Sequence, residues 1–172
     1  MSELDVCEFL SKHRNQLLKI SEETLNDYKE HGASFCKFGE VEFIIGEVDS
    51  SDESTSLQLC PPLSETIGVV HTHPQHSSIL PSELDIASTL EYDLNFSCIL
   101  DPTSNQAVCL IPNKSSSKYN YYKHQLLDYF DKAIGSSMRG NFEKASKYVE
   151  DFHKTLQKAL DEGVVKLKVC KL

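Results

Sequence analysis

Two histidines and an aspartate are the residues of this chain whose types and spacing best suit metal chemistry. His71 and His73 stand at the end of the apolar run TIGVVH, and Asp85 follows after a polar loop. Residues i and i+2 of a strand project from the same face, ~7 Å apart, so both imidazoles can reach one ion. The loop from Pro74 to Pro81 can turn the chain back and bring the Asp85 carboxylate to the same place.

Two imidazoles and one carboxylate form a ligand set that favours zinc. Three protein ligands leave one tetrahedral position open, which is typical of a catalytic rather than a structural zinc site. Water in that position has its pKa lowered to ~7, so hydroxide is available at neutral pH. The sequence therefore predicts Zn²⁺ held by His71, His73 and Asp85.

A purely structural interpretation of the same residues also exists. His-x-His pairs occur on many strands, and Ser82-x-x-Asp85 fits a capping box with Ser82 as N-cap and Asp85 at N3. The two roles of Asp85 are compatible, because a residue in the first turn of a helix can also reach a metal.

The elements around these residues alternate between helix and strand patterns. The first thirty residues are predicted to be helical in two pieces, with Ser21 capping the second piece and Gly32 ending it. A β-hairpin follows, with strands near 33–38 and 41–48, and SLQLC is a third short strand. TIGVVH is typical of a buried central strand.

A helix and two strands are predicted after the metal-ligand candidates. The helix runs from Glu83 to about Tyr92, and FSCIL and AVCLI are strands joined by a turn. Pairing Leu100 with Ala107 places Cys98 opposite Cys109. Together these elements predict an α/β fold with a mixed, curved sheet flanked by helices.

The last sixty residues are predicted to form a helical appendage, which divides the chain into domains 1–112 and 113–172. Helices from Tyr119 to Ile134 and from Asn141 to Glu162 flank a break at 135–140, and VVKLKVCKL is a final edge strand. The two apolar helix faces must pack on each other or on something else. We expect an antiparallel pair that offers apolar surface to a partner, such as a second copy of this chain in a homodimer. The alternative is a hairpin that closes over the catalytic domain of a monomer.

Composition and charge narrow the class of protein. The 172 residues carry a formal net charge of −9, which disfavours nucleic acid as a partner. No stretch has the ~20 apolar residues of a membrane span, and the polar N-terminus lacks a signal-peptide core. A cytoplasmic location is the expectation, with the six scattered cysteines as reduced, mostly buried thiols.

The combined motif resembles the signature of the JAMM (MPN-plus) zinc metalloproteases. That signature is His-x-His-Pro, a short loop and Ser-x-x-Asp, matched here by His71-Thr72-His73-Pro74 and by Ser82 to Asp85. The loop between His73 and Ser82 has eight residues, where the family usually has seven, and a one-residue insertion is cheap. The resemblance covers roughly residues 18–112 and implies the JAMM fold, which is like that of cytidine deaminases.

The resemblance also implies a catalytic glutamate at the start of the first strand, which passes a proton from the zinc-bound water to the leaving amine. Glu30, Glu40 and Glu42 are the candidates. Glu30 is preferred, because it leaves two further strands before His71. Glu40 lies in the hairpin turn, and Glu42 leaves only SLQLC before the histidine strand. In the family, the serine at the position of Ser82 hydrogen-bonds the oxyanion.

The function that the resemblance implies is zinc-dependent hydrolysis of an amide, in a conjugate of ubiquitin or a ubiquitin-like modifier or in a peptide. Two other classes stay open. One is a scaffold or binding module of the same fold without turnover, and the other is a relative of the DNA-repair or phage-tail type. His76 and the histidines at 13, 31, 124 and 153 are interpreted as loop or surface residues rather than ligands.

Overall fold

The computed structural model describes residues 5–50, 55–57, 60–73 and 79–172, which form an α/β arrangement. The helices are α1 (Val6–Lys12), α2 (Arg14–Asp27), α3 (Glu83–Glu91), α4 (Tyr119–Met138) and α5 (Phe142–Asp161). The strands are β1 (Gly32–Phe38), β2 (Val41–Ser50), β3 (Thr55–Leu57), β4 (Glu65–Thr72), β5 (Phe96–Asp101), β6 (Gln106–Pro112) and β7 (Val165–Lys171).

The described strands form one mixed sheet in the order β3-β2-β1-β4-β5-β6-β7. Neighbouring strands are antiparallel except β4 and β5, which run parallel and are connected through α3. The strand that carries His71 is therefore central, as its continuous apolar run predicts. The predicted register of the β5–β6 hairpin is confirmed, since Leu100 pairs with Ala107 and Cys98 with Cys109.

Each face of the sheet is covered by its own apolar cluster. On one face α1 and α2 contribute side chains such as Phe9 and Leu17, which pack with Phe35 and Phe96 of the strands. On the other face α3, α4 and α5 pack together over Leu110. Because successive strand residues point to opposite faces, β6 supplies Cys109 to the first cluster and Leu110 to the second.

Two predictions about the N-terminal helices are wrong. Two helices are present, but they meet at His13, and Ser21 lies inside α2, where it is buried. Gly32 does not end α2; it begins β1. The helix α2 ends at Asp27, and its C-cap residue Tyr28 adopts the left-handed conformation (φ 59°). A serine that could cap a helix and a glycine that could end one are local sequence signals. Here the packing of α2 against the sheet outweighs both signals.

The C-terminal residues continue the sheet across the boundary proposed after Pro112. β7 is an edge strand, as predicted, and it pairs along the whole of β6. The hairpin of α4 and α5 is antiparallel, because Tyr122 near the start of α4 donates a 2.7 Å hydrogen bond to Glu162 at the end of α5. The break predicted over residues 135–140 is present but begins later, since α4 runs on to Met138 and α5 begins at Phe142.

The expectation of six reduced thiols is wrong for this structure. All six cysteines form disulfides, namely Cys7–Cys170, Cys36–Cys60 and Cys98–Cys109. The first two pairs are 163 and 24 residues apart in sequence, so tertiary folding alone brings them together. Disulfides are typical of oxidising compartments and of intracellular proteins of hyperthermophiles, and the cytoplasmic location stays a prediction.

Candidate metal centre

The two histidines lie at the carboxyl end of β4, in the middle of the sheet. His71 is on the strand and His73 directly follows it, and their Nε2 atoms are 3.2 Å apart. In open α/β sheets, ligands bind at the carboxyl ends of strands. The strand alternation predicted from the sequence thus places both imidazoles on one side of one strand end.

Asp85 reaches the two histidines from the first turn of α3. Its Oδ1 lies 3.2 Å from His71 Nε2, and its Oδ2 lies 3.6 Å from His73 Nε2. The same side chain completes a capping box, in which the Ser82 amide donates to Asp85 Oδ2 (2.8 Å) and the Asp85 amide donates to Ser82 Oγ (3.1 Å). Both predicted roles of Asp85, helix capping and approach to the histidines, are therefore compatible in one conformation.

The three side chains lie close enough together to hold one metal ion, since one ligand atom of each is within 4.8 Å of the others. Zinc–ligand bonds of ~2.0–2.1 Å at tetrahedral angles put neighbouring ligand atoms ~3.3 Å apart. His71 Nε2 is 3.2 Å from His73 Nε2 and 3.2 Å from Asp85 Oδ1, close to that value, and the 3.6 Å separation from His73 Nε2 is to the other carboxylate oxygen, Oδ2. Among the described residues, this is the group of histidine, cysteine and acidic side chains that could hold a metal ion. The donor set and its geometry therefore fit zinc.

The charge state of Asp85 suits a metal ligand. Burial acts to raise the pKa of its carboxyl, but hydrogen bonds and charge interactions with His71 and His73 outweigh burial and hold the pKa well below its usual range. Asp85 is thus an anion at any pH at which imidazole is neutral enough to bind a metal.

Glu30 lies beside this centre at the start of β1. β1 and β4 are antiparallel with Gly32 opposite His71, so by the same register Glu30 stands opposite His73. Its side chain is buried, with 9% of its surface exposed. Burial raises the pKa of Glu30, the charges of His71 and His73 lower it, and Asp85 raises it, so that the pKa lies above its ordinary value.

The other two glutamate candidates lie elsewhere in the sheet. Glu40 is exposed in the turn between β1 and β2. Glu42 is on β2, opposite Lys37 in the strand register. The strand β1 lies between β2 and β4 and so separates Glu42 from the histidines. Among the described residues three strands precede β4, and Glu30 lies two residues before the first of them. This agrees with the two further strands that the choice of Glu30 requires before His71.

Thr72, which lies between the two histidines, ties the Glu30 segment to β4, and sequence reasoning missed it. Its Oγ accepts a 3.0 Å hydrogen bond from the His31 amide, and its own amide donates to the His31 carbonyl at 2.8 Å. The prediction that His31 lies on the surface is wrong, because the residue is buried. Its Nε2 lies 2.7 Å from Asp27 Oδ2. Nothing in the local sequence marks these contacts, because their partners are 41 residues apart.

Replacing Thr72 by valine is expected to lower the free energy of unfolding by about 1–3 kcal/mol. Valine has the same shape but no acceptor, so the buried His31 amide loses its Oγ partner. Denaturant unfolding of the Thr72→Val variant measures the loss, and Thr155→Val on α5 is the control for the side-chain exchange. Equal stability of wild type and Thr72→Val would contradict this role of the threonine.

Of the other histidines that the structure describes, none belongs to the group that could hold a metal ion. His124 and His153 are exposed, as expected, and His153 forms a 2.7 Å pair with Glu83. His13 is half-buried between α1 and α2, 3.9 Å from Glu42. His76, interpreted as a loop residue, lies outside the described residues, as does Pro74 of the motif.

Comparisons with protein-family models and with curated proteins found no relative of this chain. Among the described residues, no helix has both the length and the apolar character that crossing a bilayer would require.

Proposed function

We propose that this chain is a zinc-dependent hydrolase of amide bonds, of the JAMM (MPN-plus) type. The observation that carries the proposal is the convergence of His71, His73 and Asp85 on a space that one metal ion could fill, with the buried Glu30 beside them. Zinc held by these three residues would supply a Lewis acid that activates water at neutral pH. Three ligands from the described residues would leave a fourth coordination position for that chemistry.

Glu30 has the position and the protonation behaviour of a general base that then acts as a general acid. A base is most effective when its pKa lies near the working pH, and burial moves the pKa of Glu30 in that direction. Glu30 would accept the proton of the attacking water and deliver it to the nitrogen of the departing amine. Its proximity to the centre, where the charges of His71, His73 and Asp85 act on its pKa, supports this role.

Ser82 is the candidate donor to the oxyanion of the tetrahedral intermediate. Its Oγ accepts the Asp85 amide, and this leaves the hydroxyl hydrogen to be donated. The side chain is exposed and stands three residues before Asp85 on the capped start of α3. Such a donor is worth ~10²- to 10³-fold in rate, beyond the ~1 kcal/mol of the helix cap.

The proposed substrate is a conjugate or fusion of a ubiquitin-like modifier, or a peptide. This part of the proposal comes from the resemblance of the motif to the JAMM signature. A scaffold without turnover is the second candidate, and it is disfavoured because all three ligand positions and Glu30 are intact. Incubation with ubiquitin-like conjugates, with and without a chelator, distinguishes an amide hydrolase from a binding module.

Zinc content is the most direct test of the metal centre. Protein purified without added zinc is expected to contain about one zinc per chain, and His71→Ala is expected to lose most of it, because two ligands rarely hold zinc tightly. Elemental analysis measures the stoichiometry. His124→Ala is the matched control, since this histidine is exposed on α4. Equal zinc in wild type and His71→Ala would show that the assigned ligands are wrong.

A further inference from the structure

An apolar groove opens between the start of α3 and the hairpin of α4 and α5. Its volume is about 590 Å³, which is within the ~300–1,000 Å³ of pockets that bind small ligands or a few side chains. Its walls are largely apolar and include Leu84, Phe130, Ile134, Phe142, Val149 and Phe152. We call it the α3–α5 groove.

The α3–α5 groove is connected to the candidate metal centre through Ser82. Ser82 lines the groove and is also the N-cap residue that holds Asp85 in place. Leu84, the next lining residue along α3, directly precedes Asp85 and is 60% exposed. An extended polypeptide advances ~3.3 Å per residue, so a chain with its amide at the metal centre enters the groove within a few residues.

The chemistry of the walls selects an apolar occupant. Glu83 is the charged residue among those that line the groove, and its carboxylate is already paired with His153 at 2.7 Å. Ile134 and Phe142 are 44% and 67% exposed. Covering such large apolar side chains with a ligand would be favourable, because it removes apolar surface from water. Exposed apolar side chains that line a concave surface are typical of ligand-binding grooves.

The shape of the groove selects side chains of a flexible segment rather than a second folded copy. A stable protein–protein interface buries about 800 Å² on each partner over a broad face. A concave space of about 590 Å³ instead accepts two or three bulky side chains. An occupant at this place is also held next to the reacting amide, which is where a hydrolase needs to bind its substrate.

We infer that the α3–α5 groove binds bulky apolar side chains of the polypeptide substrate within a few residues of the scissile amide. This inference rests on the proposed amide hydrolysis and adds a specificity-determining surface to it. The C-terminal hairpin, which lies outside the part of the chain that resembles the JAMM proteases, thereby becomes part of the substrate site. Ile134 and Phe142 act as specificity residues, and neither is one of the candidate metal ligands.

Binding is tested on full-length, zinc-loaded Glu30→Gln protein, so that hydrolysis does not remove the probe. The probes are a short labelled peptide with two phenylalanines and the same peptide with serine at both positions. Fluorescence anisotropy is expected to give about tenfold tighter binding of the phenylalanine peptide, since burying one large apolar side chain is worth about that factor or more. Adding Ile134→Glu is expected to abolish the preference.

Met138→Glu is the matched control, because Met138 is on the same helix, is 83% exposed and does not line the groove. It is expected to keep the preference for the phenylalanine peptide. Phe142→Glu, on α5, is a second groove variant and is expected to behave like Ile134→Glu. Thermal unfolding and zinc content confirm that each exposed-site variant is folded and metal-loaded.

The inference would be overturned by equal affinity for both peptides, or by equal effects of Ile134→Glu and Met138→Glu. Sedimentation of the wild-type chain supplies a third outcome, because a dimer that Ile134→Glu dissociates would assign the groove to a second copy. Failure of the proposed function looks different. In that case the peptide would still bind in a way that depends on Ile134, but the protein with Glu30 intact would hydrolyse no amide. This result would contradict the proposed hydrolase function and leave the groove as a binding site.

Discussion

Replacing Glu30 by glutamine is expected to leave the zinc content unchanged and to slow amide hydrolysis by about 10²- to 10⁴-fold. That factor is the usual contribution of a general acid–base group. Glutamine keeps the size of the buried side chain but cannot take up a proton. The assay follows release of a peptide from a ubiquitin-like fusion, with zinc measured on the same sample.

Glu42→Gln is the matched control for this substitution. Glu42 was the alternative base in the sequence, and the sheet places it on β2, beyond β1 from the histidines. It is expected to keep full activity. If Glu42→Gln lost activity and Glu30→Gln kept it, Glu30 would not be the base. The match of β1 to the first strand of the family would then also be wrong. Loss of zinc in Glu30→Gln would instead make Glu30 a ligand.

Removing the Cys7–Cys170 disulfide is expected to lower the free energy of unfolding by about 5 kcal/mol. The bond closes a loop with a sequence separation of 163, and in the chain-entropy model the stabilisation grows with the logarithm of loop length. It joins α1 at one end of the chain to the edge strand β7 at the other. Because native stabilities are typically only ~5–15 kcal/mol, this is a large share of the total.

The two other disulfides supply the comparison. Their sequence separations of 24 and 11 predict losses of about 3 kcal/mol each by the same model. Denaturant unfolding of the paired Cys7→Ala, Cys170→Ala variant and of the paired Cys36→Ala, Cys60→Ala variant, without reductant, measures the difference. A smaller loss for the first pair than for the second would contradict the loop-length argument. Six free thiols in the denatured wild-type protein would contradict the disulfides themselves.

Local patterns in the sequence predicted much of the sheet and the candidate centre. The apolar run ending at His71 predicted a central strand, and the turn between FSCIL and AVCLI predicted the pairing of Cys98 with Cys109. Strand alternation predicts that His71 and His73 project from the same face of the strand. The pattern of a helix start predicts that Asp85 lies in the first turn of α3, from which it reaches His71. The zinc, the hydrolysis and the roles of Glu30 and Ser82 stay predictions.

Tertiary structure alone decided the features that join distant parts of the chain. His31 is buried because α2 and β4 close over it, although its local sequence resembles an exposed helix end. The helix α4 continues through Gly135 because its packing against α5 outweighs the helix penalty of a glycine, which is only ~1 kcal/mol. The Cys7–Cys170 bond and the α3–α5 groove arise in the same way. Their residues carry no local signal, since each property depends on which surfaces meet when the sheet and the helices pack.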